Sequence, residues 1–355
     1  MKKLLLLFRW LLFPIACVYA IITTLRNWLY SKGIFRSHSF PVPTIVVGNL
    51  TVGGTGKTPH TEYLIRLLKD THTLIILSRG YGRKTKGFLI ADDNTKPQQI
   101  GDEPMQFFRK FGKEITVTVG EDRVAAIGKI YRRIKQTVRN TQHTALNSPL
   151  ILLDDAFQHR PVKPSFSILL TDYNRLFYND LLLPTGNLRE TRIGARRADV
   201  VIVSKCPPDL PDSARQQISS KIRKYTKLTT PVFFSSIRYS APLPFSEFSR
   251  NIFSNQLILV SGIAQSHILE EYIKQNFDCK THLNFKDHHN YTQADITTIQ
   301  SACQKAGVST VLTTEKDFVK LSQLELPPEI SFFYLPIEIY FLFEEKETFN
   351  QLIVN

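Results

Sequence analysis

The sequence has little cysteine and lacks a long apolar run. Its 355 residues include four cysteines, Cys17, Cys206, Cys279 and Cys303, and none of them forms a C-x-x-C pair. The sequence therefore predicts neither a zinc site nor a disulfide framework, and a reducing compartment fits. No internal repeat or low-complexity segment is apparent either, so an ordinary folded protein is expected.

Acidic residues are scarce, and the formal net charge is +14. The hydrophobic fraction of 43% is ordinary for a folded protein, and the length admits two domains with their own cores. The excess of positive charge indicates a polyanionic partner, which would be a nucleic acid, an anionic membrane or a phosphorylated substrate. A basic surface without a specific partner is the alternative.

The N-terminal region combines positive charge with apolar residues. Residues 1–61 contain no Asp or Glu and seven Lys or Arg, and residues 10–22 are continuously apolar. This run is shorter than the roughly 20 residues of a spanning helix. It predicts a helix that lies in or dips into a membrane surface, with basic flanks on anionic headgroups. A spanning helix and a buried core helix are the alternatives, and a secretory signal lacks a good cleavage site.

A glycine-rich segment lies between an apolar strand pattern at 44–47 and a helical pattern. Small residues there let backbone N–H groups close around phosphate oxygens, while a lysine reaches the outer phosphates and a hydroxyl binds Mg²⁺. Thr51 stands where the strict P-loop motif has glycine. The segment is therefore interpreted as a variant P-loop, although such turns also occur without nucleotide. The proposed nucleotide-binding residues are Gly53, Gly54, Thr55, Gly56, Lys57 and Thr58.

Apolar strand patterns alternate with helical ones along the rest of the chain. This alternation predicts an α/β fold with a P-loop NTPase-type, doubly wound, mainly parallel sheet and a second, smaller α/β domain. We expect an N-terminal membrane-associated helical segment at 1–38, a P-loop core at 39–230 and a C-terminal domain with linker strands at 231–355. A final extended run at 330–343 is expected to return to the linker.

Two acidic clusters fall at predicted strand or helix ends. Residues 150–153 are apolar and precede Asp154 and Asp155, which is the Walker B pattern of a Mg²⁺-binding carboxylate beside a P-loop. Asp102 and Glu103 precede a helical pattern, where one carboxylate would accept a proton from an attacking hydroxyl. A helix cap or turn is the alternative for the first cluster, where the upstream P-loop favours the metal role, and an N-cap is sufficient by itself to explain the second. His288 offers an imidazole that would pair with such a carboxylate.

Taken together, the motifs resemble those of the tetraacyldisaccharide 4′-kinases, which act in lipid A synthesis in Gram-negative bacteria. The resemblance covers nearly the whole chain, and eight short motifs in order make it specific. Ala156 and residues 185–187 depart mildly from the family pattern. The motifs are the basic apolar N-terminus and the segments at 47–59, 78–82, 101–104, 153–159, 184–190, 285–288 and 314–317.

This resemblance implies transfer of the ATP γ-phosphate to the 4′-hydroxyl of a tetraacylated glucosamine disaccharide 1-phosphate, giving lipid IVA. It implies ATP and Mg²⁺ as cofactors, Asp102 as the base with His288 as its partner, and Lys57 on the γ-phosphate. The metal would be held by Thr58, Asp154, Asp155 and Glu190. Substrate contacts are assigned to Arg79, Arg123, Gln158, His159 and Arg189, although each arginine is equally explained by a surface salt bridge.

The resemblance also implies peripheral or monotopic attachment to the cytoplasmic face of the bacterial inner membrane. No nucleic acid and no obligate protein partner are expected. The alternative function is a membrane-associated P-loop NTPase switch, which would bind nucleotide without kinase chemistry. The segment after the strand pattern at 200–203 begins Ser204-Lys205-Cys206-Pro207 and lacks the final Asp of a guanine-specificity motif, which weakens that alternative.

Overall fold

A computed structural model describes residues 11–140, 148–245, 252–263, 266–287 and 289–354. Within these residues the chain forms two β-sheets with helices packed against them. This arrangement confirms the predicted α/β class with a large, mainly parallel sheet and a second, smaller one. The predicted domain boundaries remain predictions, but the strands change sheet between Tyr239 and Leu243.

The large sheet has nine strands in the order β14-β8-β7-β6-β1-β5-β2-β4-β3. Its inner pairs are parallel, and only the pairs β3–β4 and β14–β8 at its two edges are antiparallel. The strands are β1 Thr44–Asn49, β2 His72–Ser78, β3 Leu89–Ile90, β4 Thr116–Val119, β5 Ser148–Asp154, β6 Phe166–Asp172, β7 Val200–Ser204, β8 Val232–Tyr239 and β14 Ile337–Phe341.

Helices cover both faces of this sheet, which explains why central strands such as β1 and β7 are buried at every residue. One apolar layer includes Leu64 and Ile65, and the other includes Ile127 and Ile130. The helices are α1 Phe13–Ser31, α2 Lys57–Leu68, α3 Pro97–Ile100, α4 Asp102–Phe111, α5 Arg123–Asn140, α6 Asp212–Arg223 and α10 Lys346–Val354, with 3₁₀ turns at Phe177–Asn179 and Arg192–Arg197.

The small sheet has five strands in the order β11-β10-β12-β13-β9. It carries its own apolar clusters, so this part of the chain has a separate core. Its strands are β9 Leu243–Pro244, β10 Gln256–Ser261, β11 Asp278–Asn284, β12 Thr310–Thr314 and β13 Ser331–Leu335. Its helices are α7 Ser266–Asn276, α8 Gln293–Ala306 and α9 Glu315–Leu321.

The N-terminal helix α1 exposes most of its apolar side chains. Ala16 is its one buried residue, whereas Ile21 is 66% exposed and Trp28 is 50% exposed. The alternative of a buried core helix is therefore wrong for the described part of the chain. Among the described residues, no helix is long and apolar enough to cross a membrane.

Candidate active site

The P-loop leaves the carboxyl end of β1 and enters α2, as the sequence predicts. Gly56 caps α2 in a left-handed conformation with φ 76°, and Gly53 has φ 96°, so both positions favour glycine. Strand β5 pairs in parallel with β1, and this register sets Asp154 opposite Val47. The acidic pair is thereby brought to the same sheet edge as the P-loop, where ligands bind in such sheets.

Side chains from neighbouring strands hold the backbone of the P-loop. Arg175 donates from Nη2 to the carbonyl of Val52 at 2.7 Å, and Ser204 Oγ donates to the carbonyl of Thr55 at 2.9 Å. Asn49 donates from Nδ2 to Thr55 Oγ1 at 2.8 Å, deep in the core. These bonds involve backbone carbonyls and the Thr55 side chain. They therefore hold the loop in place without using its backbone N–H groups as donors.

His60 secures the start of α2 from inside the core. Its Nδ1 lies 2.6 Å from the Gly56 carbonyl, and its Nε2 lies 2.9 Å from Ser235 Oγ. The carbonyl can only accept, so Nδ1 carries the proton and Nε2 accepts from the hydroxyl. Burial lowers the pKa of His60 to about 4, which keeps the ring neutral beneath the phosphate cradle.

This buried ring makes stability depend on pH. In the unfolded chain a histidine ionises near its ordinary pKa of about 6.5. The stability that neutral His60 contributes is therefore complete above this pKa and is lost as the pH falls toward the folded pKa of about 4. Between pH 7.5 and 5.0 we expect the free energy of unfolding to fall by about 2 kcal/mol more in the unmodified chain than in His60→Gln. Urea unfolding at both pH values measures this difference, and equal losses would contradict it.

Lys57 faces the second carboxylate of the acidic pair. Its Nζ lies 3.7 Å from Asp155 Oδ1, and Arg189 Nη1 lies 2.9 Å and 3.1 Å from the two Asp155 oxygens. Burial raises the pKa of Asp155, but Lys57 and Arg189 outweigh burial and hold it below its ordinary value. Asp155 is therefore ionised, and it holds two cations at the mouth of the P-loop.

Asp154 lies deeper and has an oxygen with no partner. Ser78 Oγ donates to its Oδ2 at 3.3 Å, whereas the buried Oδ1 accepts no hydrogen bond from the described residues. Burial, together with the charges of Glu103 and Asp155, raises the pKa of Asp154 to about 7. A nearby divalent cation would reverse this penalty, since it favours the charged form. The orphaned oxygen thus fits a metal ligand beside the P-loop.

The described residues contain no group of three or more His, Cys, Asp or Glu side chains that could hold a metal ion. Such a cage is not required for Mg²⁺, which is commonly bound through one or two carboxylates together with substrate phosphates and water. Asp154 with the Thr58 hydroxyl would be a minimal set of this kind.

Glu190 lies in a different network, beneath α1. Arg197 donates to both of its oxygens at 2.6 Å and 2.9 Å, Asn27 Nδ2 donates at 2.6 Å, and Gln158 Nε2 donates at 3.0 Å. Because four donors bind this one carboxylate, Glu190 links α1 to the segment at 188–197. The metal role of Glu190 therefore remains a prediction without support from its contacts. Gln158 likewise serves this link and also donates to the Asn49 carbonyl at 2.8 Å.

A cationic group flanks the acidic pair. Arg123 is 3% exposed, and its Nε has no hydrogen-bond partner among the described residues. Burial and the charge of Arg79 together lower its pKa to about 10, against the attraction of Asp154 and Asp155. Burial and the charge of Arg123 lower the pKa of His159 to about 4. Unpartnered donors beside buried positive charge suit an anionic oxygen of a ligand.

Asp102 is the first residue of α4, a helix of the large sheet that packs against α9 of the small sheet. Lys320 of α9 reaches its Oδ2 from Nζ at 2.8 Å. The proposed partner His288 lies outside the described residues, but its neighbours Asp287 and His289 are described. Lys320 also donates to the His289 carbonyl at 3.0 Å, so the same ammonium contacts both Asp102 and His289.

Comparison with known proteins settles the family. The family model described as tetraacyldisaccharide-1-P 4′-kinase matches residues 8–355. The chain belongs to the tetraacyldisaccharide 4′-kinase family. Among its curated relatives, the tetraacyldisaccharide 4′-kinase of Flavobacterium psychrophilum is 43% identical over 97% of this chain and 95% of the relative. The corresponding protein of Bacteroides thetaiotaomicron is 39% identical over 98% of this chain and 92% of the relative.

A solved structure gives the same family. The crystal structure of LpxK from Aquifex aeolicus in complex with ATP superposes with a TM-score of 0.72 at 30% identity, covering 98% of both chains. Membership in the 4′-kinase family confirms the predicted enzyme class, an ATP-dependent kinase that phosphorylates a sugar hydroxyl of a lipid A precursor. The alternative of an NTPase switch finds no support.

Several side chains of this 4′-kinase site were not singled out from the sequence. Arginines and lysines that bind a carbonyl or a carboxylate look like surface residues until the partner is known. Lys320 follows the motif at 314–317 by one helical turn, and this proximity is the only signal that could have drawn attention to it. The residues missed are His60, Arg175, Arg197, Lys205 and Lys320.

Proposed function

We propose that the chain transfers the γ-phosphate of ATP to the 4′-hydroxyl of its lipid acceptor at a membrane surface, with Asp102 as base. The hydroxyl proton passes to the Asp102 carboxylate, the hydroxyl oxygen bonds to the γ-phosphorus, and the bond from that phosphorus to the bridging oxygen breaks to release ADP. Such transfer depends on positioning and charge neutralisation. The observation that carries this proposal is the meeting of Lys57, Asp154 and Asp155 at one sheet edge.

Mg²⁺ would be held by Thr58 and Asp154, with Asp155 near it. When bound, the metal neutralises charge on the β- and γ-phosphates. Lys57 adds positive charge at the γ-phosphate from the P-loop side. Arg123 and Arg79 provide further cationic donors for phosphate oxygens, and they serve either the nucleotide or the 1-phosphate of the acceptor.

Peripheral attachment through α1 would bring the site to the acceptor. The polar side of α1 is tied to the site, since Tyr19 OH donates to the Arg189 carbonyl at 2.7 Å and Asn27 donates to Glu190. Its other side exposes apolar residues: Phe13, Ile15, Val18, Ile21, Ile22, Leu25 and Trp28. Such an amphipathic helix lies in an interface with its apolar side in the acyl boundary. The acyl chains of the acceptor would then remain in lipid at the cytoplasmic face of the inner membrane.

Replacing two exposed apolar residues of α1 by acids should separate membrane binding from catalysis. In Ile21→Glu/Ile22→Glu we expect at least a tenfold loss of binding to anionic vesicles, because burial of these side chains drives insertion. Flotation measures binding, and activity on detergent-dispersed acceptor should stay near normal. Leu228→Glu is the matched control, since Leu228 is 87% exposed and lies outside α1. Equal flotation of both variants would contradict attachment through α1.

The direct test of function is transfer of labelled γ-phosphate from ATP to a tetraacyldisaccharide 1-phosphate in detergent with Mg²⁺. We expect labelled lipid that carries the new phosphate at the 4′ position. A folded protein that binds ATP and never labels the lipid would overturn the proposed reaction. A reaction without divalent cation is the control. In it we expect no labelling, and the acceptor should remain unchanged.

A further inference from the structure

Lys320 joins the proposed base to the helices of the small sheet. Its Nζ lies 2.8 Å from Asp102 Oδ2, and the Lys320 side chain is 10% exposed, so the ion pair is largely shielded from water. The same ammonium donates to the His289 carbonyl at 3.0 Å. One cation therefore connects the first residue of α4 with His289.

The helices that carry this pair are clamped at their other ends. Lys110, near the end of α4, binds Glu315 at the start of α9 at 2.5 Å and Glu62 of α2 at 2.6 Å. The helices thus run antiparallel, with an ion pair at each end. Between these pairs, the Arg109 guanidinium lies over the Phe318 ring at 5.5 Å. Lys320 is consequently fixed relative to Asp102 and is not a mobile surface lysine.

We propose that Lys320 is a positioning residue for Asp102, holding the carboxylate ionised and in a fixed rotation toward the acceptor hydroxyl. This inference rests on the proposed function of Asp102 as base. An ammonium on one oxygen of a carboxylate favours the charged form and limits rotation about the Cβ–Cγ bond. Lys320 lies on a helix of the small sheet, whereas Asp102 lies on a helix of the large sheet. The base is therefore oriented only when these two helices are in contact.

Other charged groups lie near Asp102, and those of the small-sheet side have partners of their own. Glu103 follows it on α4, and Arg79 and Arg83 lie in the loop after β2 that packs on Gly101. From the small-sheet side, Lys316 pairs with Asp287 at 3.3 Å and His289 pairs with Asp295 at 3.1 Å. Lys110, at the far end of α4, is engaged with Glu62 and Glu315. Removing Lys320 should therefore leave these ion pairs in place.

The test compares Lys320→Met, Lys320→Arg and the unmodified chain in the labelled-phosphate assay from pH 3 to 9, a range that includes the ordinary ionisation of an aspartate near pH 4. In Lys320→Met we expect kcat to fall about tenfold and the acid limb of the rate profile to move up by about one pH unit, while KM for ATP is unchanged. Lys320→Arg should restore the position of the limb. Lys274→Met is the control, since Lys274 forms an exposed ion pair with Glu270 on α7.

A purely structural role would lower activity or stability without moving the acid limb, and that result would overturn the inference. A limb that moves equally in the methionine and arginine variants would do the same. The ¹³C titration of the Asp102 carboxyl provides a readout that needs no turnover. Its midpoint should rise by about one unit in Lys320→Met. If the unmodified chain never labels lipid, the proposed function fails, whereas this titration still decides whether Lys320 acts on Asp102.

Discussion

Lys57→Met should nearly abolish phosphate transfer, with kcat lowered about 10²- to 10³-fold. Lys57 brings the positive charge of the P-loop to the γ-phosphate, and removing one well-placed donor to developing charge costs on the order of 3–4 kcal/mol of transition-state stabilisation. Its ammonium lies 3.7 Å from Asp155 at the mouth of the P-loop, so the side chain is already at the proposed phosphate site. Single-turnover transfer of labelled phosphate measures the loss.

The methionine keeps the length and apolar stem of the lysine, so the variant should fold. Arg189 continues to pair with Asp155 when Lys57 is removed, which keeps that carboxylate from being left alone. Lys69→Met is the matched control, because Lys69 follows the same helix and pairs with Glu114 away from the site. If Lys57→Met retained a tenth of the normal kcat, the P-loop lysine would not be stabilising the transferred phosphate.

The parts of the site that the sequence predicts are those encoded locally. A glycine-rich turn needs left-handed residues at fixed positions, and Gly53 and Gly56 have that conformation. Apolar runs buried on both faces predict parallel strands, and β5 follows this rule up to Asp154. Because adjacent parallel strands end at one edge, the meeting of the P-loop with Asp154 follows from two short patterns.

Other features depend on contacts between distant segments and carry no local signature. Lys320 is one polar residue on a short helix, and only the antiparallel packing of α4 and α9 brings it to Asp102. Glu190 follows Arg189 in a motif, yet its neighbours direct it to Arg197 rather than to the P-loop. The extended run predicted at 330–343 is divided at Pro336, so that β13 joins the small sheet and β14 joins the large one.

Asp102→Asn should lower kcat by about 10² to 10⁴, the usual contribution of a general base. The amide keeps the shape of the carboxylate but cannot accept the hydroxyl proton, so KM for ATP should change little. Asp102 also sits in the first turn of α4, where a negative charge favours the helix by about 0.3–1 kcal/mol. The capping explanation therefore predicts a small loss of stability and no loss of chemistry.

Asp212→Asn separates these two explanations. Asp212 occupies the same first-turn position on α6, is 72% exposed and lies 3.6 Å from Arg215. Both substitutions remove one charge from a helix start and should lower Tm, and Asp102→Asn should lower it more because it also leaves the shielded Lys320 ammonium without its carboxylate. Only Asp102→Asn should stop labelling of the lipid while ATP binding, followed by nucleotide fluorescence, persists. If Asp102→Asn kept a third of the normal kcat at pH 8, the carboxylate would be a helix-capping group, and the proton of the acceptor hydroxyl would have to leave by another route.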